Sequence, residues 1–383
     1  MRLGKRLRRG AQGTAPLAVP IALVVGLLAS ICVPLTSGAA SAASLGTFNA
    51  AEFDAPSGLA FGGGHLWVTN QAGNSLTEID PSTGGWLGTF KAGLDDPSAI
   101  ASVGPDLFVA NEAGSLSEVR ASDGAAVRTI SGPQFGFQDP IALAVSGHTV
   151  LVLNAGRPSA TPAVAGSISE IDARTGRLLR TVSGPSLAFD DPAALVVSGP
   201  HAYIADEGND SVTEIDITSG ARLNVIAGQG LRKPDGITVA DGHVWVSDAA
   251  SNAATDIDEA TGTVLATYGD ADGKYGFGSP SVAVASGGYV FIADPFGTSP
   301  MVTKLSATSG APSWYMCNTN GPYYFSLLSA LAVSGHHMWV ASRSGANSKT
   351  PGAKTGSLTE LDTGSGALIT TRPVPSESLH SLP

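Results

Sequence analysis

Cysteine is almost absent from this chain: its 383 residues include two, Cys32 and Cys317. Cys32 falls in a segment read below as a removable leader, so Cys317 stands alone and no intramolecular disulfide can staple the fold. Charge is sparse too, at 14% Asp, Glu, Lys and Arg, which excludes the profile of a helical bundle or coiled coil. There is no G-x-S-x-G, no H-E-x-x-H and no phosphate-binding glycine loop. The usual nucleophile, zinc and nucleotide signatures are therefore missing. What the chain has in quantity is turn-formers, 48 Gly and 24 Pro, with 43% hydrophobic residues. That hydrophobic content is too high for disorder, and a turn-rich β protein is expected.

The formal net charge of -11 hides an asymmetry. Residues 1–43 carry Arg2, Lys5, Arg6, Arg8 and Arg9 and no acid; without them 16 bases face 32 acids, a net of -16. Such a body repels phosphate backbones, so nucleic acid is not expected as a partner. The basic start, the apolar run Leu17 to Val33 and the small residues Ala40-Ser41-Ala42-Ala43 have the order of an export signal with an A-x-A-like cleavage site. An uncleaved anchor is the alternative, since about 20 apolar residues span a bilayer, but Pro20, Pro34 and the small-residue site favour cleavage. Ile31 is bulky where a lipoprotein signal has a small residue, which argues against lipidation at Cys32. The expected organisation is a signal peptide at 1–43, a folded body at 44–373 and a tail at 374–383. The mature protein would be a monomer, secreted or associated with the cell envelope, and would meet a membrane only if the signal stayed uncleaved.

The body repeats. Aligned on the residue after a "WVT"-like run, it shows Asn70, Asn111, Asn154, Asp206, Asp248, Asp294 and Ser342, spaced by 41, 43, 52, 42, 46 and 48 residues. Each unit opens with an apolar segment, Pro-led in six of seven, followed by a Gly turn. A second apolar strand places Trp67, Phe108, Leu151, Tyr203, Trp245, Phe291 or Trp339 three residues before the anchor, a predicted core layer. A third strand such as SLTEID alternates with period two. A D-x-x-[ST]-G type turn with Gly84, Gly124, Gly176, Gly220, Gly262, Gly310 or Gly366 then leads to a fourth strand.

Four short strands per unit and seven units predict an all-β fold, a seven-bladed β-propeller of four-stranded antiparallel blades. "WVTN" at Trp67 to Asn70 resembles the YVTN/NHL type of secreted bacterial propeller, and the resemblance covers nearly the whole mature chain. LGTF occurs at 45–48 and again at 87–90, while ALITT at 367–371 offers unit seven a fourth strand of its own. One of the two terminal segments is expected to be the outer strand of the last blade.

In such a meander the first-to-second and third-to-fourth turns share one face and are uniform here. The second-to-third and inter-blade loops share the other face and vary, so binding is expected there. Residues 155–166, with Arg157, and 343–356, with Arg343, Lys349 and Lys354, are long loops placed to wall a cleft, or tolerated insertions. Inter-blade loops hold Phe135, Phe137, Phe189, Tyr275, Phe277, Tyr323, Tyr324 and Phe325. These are candidates to stack on a ligand together with Lys233 and Arg343, or else plugs between blades. Asp96, Asp139 and Asp191 precede three inner strands and could hold a hard cation such as Ca²⁺, or simply start strands. GDADGK at 269–274 opens like a calcium loop but lacks the downstream Glu.

Histidines His65, His148, His201, His243, His336 and His337 recur in the first-to-second turn, on the uniform face. Glu78, Glu118, Glu170, Glu214, Asp256 and Glu360 recur on the third strand, with Lys304 breaking the series. The anchors are read as caps at the end of the second strand. The "P-x-x-[LI]" and "LWVT" segments look like the virginiamycin B lyase-like repeat type, which implies a metal and histidine; no variable-face histidine matches, so no catalytic residue is carried over. Quinoprotein-type propellers are similar in the "DxxTG" turn but not in their tryptophan docking pattern. The reading that follows is an exported scaffold whose variable face binds a protein, peptide or cell-surface glycan. The alternative is a metal-assisted lyase or hydrolase using the three aspartates and a basic wall of Lys233, Lys274, Lys349 and Lys354.

Overall fold

The computed structural model describes residues 53–369, except 158–163, 185, 188, 270–274, 296–299, 318–324, 326 and 344–355. Among these residues 27 strands form seven antiparallel sheets, six of four strands and one of three, each in chain order. Blade one shows the pattern: β1 (Pro56–Gly62), β2 (His65–Asn70), β3 (Ser75–Asp80) and β4 (Gly85–Phe90). The inner strands of the other blades are β5 (Pro97–Val103), β9 (Pro140–Ser146), β13 (Pro192–Ser198), β17 (Pro234–Ala240), β21 (Val282–Ser286) and β25 (Leu328–Ser334). Each inner strand touches the next, and β25 touches β1, so seven blades close a ring.

The predicted core layer exists. Trp67, Phe108, Leu151, Tyr203, Trp245, Phe291 and Trp339 are at most 1% exposed, because alternation puts one side of every second strand against the neighbouring blade. The glycine of each third-to-fourth turn has φ between 61° and 75°, and its N–H closes the turn on a carbonyl four residues earlier, as Gly84 does on Asp80 at 2.8 Å. At Gly310 a Cβ would lie 2.0 Å from the Tyr268 ring, so the position needs glycine for space as well as for backbone conformation.

The inner strands are stitched around the axis by serine. Ser57 Oγ donates to the Pro97 carbonyl at 2.6 Å and Ser98 Oγ to Pro140 at 2.7 Å. Ser329 Oγ donates to Pro56 at 2.6 Å, the same stitch made between the last blade and the first. The last sheet consists of β25, β26 (His337–Ser342) and β27 (Ser357–Asp362). A bridge between Leu361 and Leu368 and a bond from Ile369 N to Glu360 O at 3.1 Å start a fourth strand there. Ala367 to Ile369 therefore belong to blade seven; LGTF at 45–48 lies outside the described residues.

Candidate functional site

The two faces of the ring differ in how their charges are used. On the uniform face each turn aspartate is bound by its own turn. Asp172 Oδ1 accepts from the N–H groups of Arg174 and Thr175, and Asp216 Oδ1 from Thr218 and Ser219. Those bonds hold the carboxyls below the usual range. The recurrent third-strand carboxylates are buried and need a cation. His65 lies 2.5 Å from Glu78, His201 2.6 Å from Glu214, His243 2.7 Å from Asp256 and His337 2.6 Å from Glu360. These four histidines begin second strands, while His148 and His336 sit in the turns before them. Where the register lacks histidine, an outer-strand arginine replaces it: Arg128 on Glu118 at 2.5 Å and Arg180 on Glu170 at 2.7 Å. In blade six the sign is reversed, with Lys304 Nζ 3.6 Å from the centre of the Tyr289 ring and donating to Thr363 O at 2.8 Å. Four histidines and two arginines on this face thus satisfy its buried carboxylates.

On the variable face the residue before each Pro-led or Leu-led inner strand adopts a left-handed backbone in six blades: Ala55, Asp96, Asp139, Asp191, Lys233 and Leu327, with φ from 49° to 59°. Its carbonyl accepts the N–H of the residue after the anchor. Glu112 bonds Asp96 at 2.9 Å, Ala155 bonds Asp139 at 2.9 Å and Arg343 bonds Leu327 at 3.1 Å. Asp is one of the few side chains that tolerate this conformation, which gives Asp96, Asp139 and Asp191 a conformational reason for their positions. Among the described residues no group of three or more His, Cys, Asp or Glu is placed to hold a metal ion; the three aspartates stand one per blade and are not brought together.

This backbone bond sets two residues side by side at the mouth of each blade, and two charged clusters result. Arg343 Nη2 donates to Gln71 Oε1, and Gln71 Nε2 donates to Glu112 Oε1 at 3.0 Å. Burial works against the Arg343 charge, while Glu112 and Asp96 favour it. Around the ring, Lys233 Nζ lies 2.8 Å from Glu207 Oε2. Burial again opposes that charge, but Glu207, Asp235 and Asp191 outweigh it and hold the ammonium above its usual pKa. Gln71, Glu112, Glu207 and Asp235 are absent from the candidates drawn from sequence; the visible signal was their register, directly after an anchor or one step into an inner strand.

Five of the aromatic candidates are packed between blades. Phe137, Phe189, Tyr275, Phe277 and Phe325 are 1–6% exposed and belong to cores shared by neighbouring blades. Phe135 is half-buried and stacks on Phe137 with centroids 5.5 Å apart. These rings plug blade interfaces because the hydrophobic gain of a buried ring exceeds that of one left at a wet rim. Tyr323, Tyr324, Lys274, Lys349 and Lys354 lie outside the described residues. Arg157 is exposed and its backbone bridges Val164.

The anchors are more than caps. Asn70 Oδ1 accepts from Asp54 N at 3.2 Å, Asn111 Oδ1 from Asp95 N at 3.1 Å and Asp206 Oδ1 from Asp190 N at 3.1 Å. Each pins the inter-blade loop sixteen residues upstream and so fixes the rim charges beside it. Along the axis the ring leaves a cavity of about 330 Å³ whose lining includes Ala60, Phe61, Ala101, Ala144 and Val333.

Solved structures share this architecture at low identity. Hydrazine synthase from Kuenenia stuttgartiensis aligns over 86% of this chain and 98% of its own, with 18% identity and a TM-score of 0.64. The computationally designed Ika8 protein gives 18% identity, 83% and 86% coverage and a TM-score of 0.59. BamB from Moraxella catarrhalis gives 19% identity, 80% and 83% coverage and a TM-score of 0.51. These likenesses show the ring fold alone. Comparison with curated proteins gave no match. The sequence does match the family model described as outer membrane protein assembly factor BamB over residues 38–268 and 164–315. The chain belongs to that family.

Proposed function

We propose that this protein is an exported scaffold whose variable face binds another protein of the cell envelope through the charged mouth of the ring. The observation that carries the reading is the division of charge between the faces. On the uniform face the turn aspartates are bound by their own turns and the buried third-strand carboxylates by histidine or arginine. A cluster of charges, Asp96, Glu112, Asp139, Asp191, Glu207 and Asp235 with Arg343 and Lys233, stands at the other mouth, at positions whose backbone role does not require a charge. An acid-dominated, half-buried rim on a rigid ring steers a partner of opposite charge and fixes its orientation. Kinship with an assembly factor supports a protein as the partner. Five of the eight rings offered for stacking on a glycan are buried between blades, and the lyase-like resemblance contributes no reacting residue.

Lys233 occupies the same register as the aspartates, so Asp139→Lys with Asp191→Lys reverses rim charge at positions whose backbone already accepts lysine. Affinity capture from envelope fractions at low and high salt should recover a discrete partner with the parent protein and with the uniform-face control Asp123→Lys. Capture should fall at least tenfold with the rim variant. Equal recovery by all three proteins would refute the assignment of the rim.

A further inference from the structure

In blades one to three the anchor side chain gathers hydroxyls from the first and third residues of the third strand. Asn70 Nδ2 donates to Ser75 Oγ at 3.4 Å and Thr77 Oγ1 at 2.9 Å. Asn111 Nδ2 donates to Ser115 Oγ and Ser117 Oγ, both at 3.0 Å, and Asn154 Nδ2 to Ser167 Oγ at 3.3 Å and Ser169 Oγ at 3.1 Å. Asp248 does the reciprocal, accepting from Thr255 Oγ1 at 2.6 Å.

Blade seven keeps the hydroxyls and loses the anchor. The three register positions are Ser342, Ser357 and Thr359, and Ser342 pairs with Ser357 across β26 and β27 as Asn111 pairs with Ser115 in blade two. The backbone frame is therefore the same, but serine lacks the carboxamide that reaches between the two hydroxyls. Ser342 Oγ, Ser357 Oγ and Thr359 Oγ1 are all buried without a hydrogen-bond partner among the described residues, in residues 0%, 3% and 0% exposed. Leaving buried polar atoms unmet costs more than a hydrogen bond contributes, and nearly all such atoms in folded proteins are met by protein or by ordered water.

We propose that blade seven binds one water molecule as a structural ligand, held by Ser342 Oγ, Ser357 Oγ and Thr359 Oγ1 where other blades place the anchor carboxamide or carboxylate. Hydroxyls donate or accept as required, so one water can donate to two of them and accept from the third. Three polar partners in an enclosed polar site are what a buried water needs. A divalent metal is poorly served by three neutral hydroxyls with no carboxylate among them. This site goes beyond the recognition function and does not depend on it.

Crystallography of the full chain tests the proposal. One well-ordered density peak is expected at about 2.7–3.2 Å from all three oxygens. In Ser342→Asn the new Nδ2 should occupy that spot, expel the water and raise the Tm, whereas Ser342→Ala should keep the peak on two partners and lower the Tm. The parent crystal decides the matter even if a variant fails to fold. No peak, hydroxyls turned onto backbone carbonyls, or oxygen contacts as short as a metal's would each overturn it.

Discussion

Asp206 and Asp248 occupy the position that blades one to three fill with asparagine. Burial raises Asp206 to about 7 and Asp248 to about 8, against the pull of bonds from Asn209 and Thr255. A carboxyl whose folded pKa lies above its unfolded value near 4 adds stability that is complete below about pH 4 and is lost as the pH climbs through the folded value. At pH 8 both sites hold an ion, wholly or in part, where their neighbours hold a neutral amide. Asp206→Asn and Asp248→Asn should each stabilise the fold by about 1–3 kcal/mol at pH 8. The gain should be smaller at pH 5 and vanish only below about pH 4, where the carboxyls are protonated in the folded and the unfolded chain alike. Urea denaturation at the two pH values checks this, and an equal effect at both would contradict it. Asp256 and Glu360 are raised by burial as well, their histidines only partly offsetting it, so they push the optimum of the parent protein in the same acidic direction.

At the scale of elements, the inner strand and its entry carry the design. The left-handed residue before the strand is satisfied equally by Ala55, Asp139 or Lys233, so the backbone, and not the carboxylate, is the requirement. Asp139→Gly should leave stability within about 0.5 kcal/mol, while Asp139→Val, with a branched Cβ, should cost roughly 1–2 kcal/mol; thermal denaturation separates the two. The sequence displayed the strands, the bulky layer and the glycine turns because each recurs seven times at a fixed register, and periodicity survives without coordinates. It displayed Phe137, Phe189 and Phe277 as loop aromatics, open equally to stacking on a ligand or to plugging between blades. Their burial depends on how two neighbouring blades meet, which no local pattern records. The anchors were half readable: an Asn or Asp at a strand end suggests a cap, but the loop it pins lies sixteen residues away.

At the scale of the molecule, the ring is held at its seams. Donors of one blade reach the turn carbonyl of the next: Arg128 to Ala173 at 2.8 Å, Trp245 to Ala307 at 2.9 Å and Lys304 to Thr363 at 2.8 Å. At the closing seam Trp339 Nε1 has no acceptor among the described residues. That seam is joined by Ser329 on Pro56 and by the edge of Trp339 against Phe61, 5.3 Å between centroids. The same ring sorts charge into a uniform face whose turn aspartates and third-strand carboxylates are paired within it and a variable face whose charges cluster at the mouth, and from this division the binding function is inferred. The most direct measurement places a photo-crosslinking amino acid at position 157, exposed on the variable face, or at position 123, exposed on the uniform face, in protein produced by its own cells. The account predicts a discrete adduct with one envelope protein from position 157, weakened by salt, and none from position 123. An adduct from position 123 alone, or equal adducts from both, would contradict it.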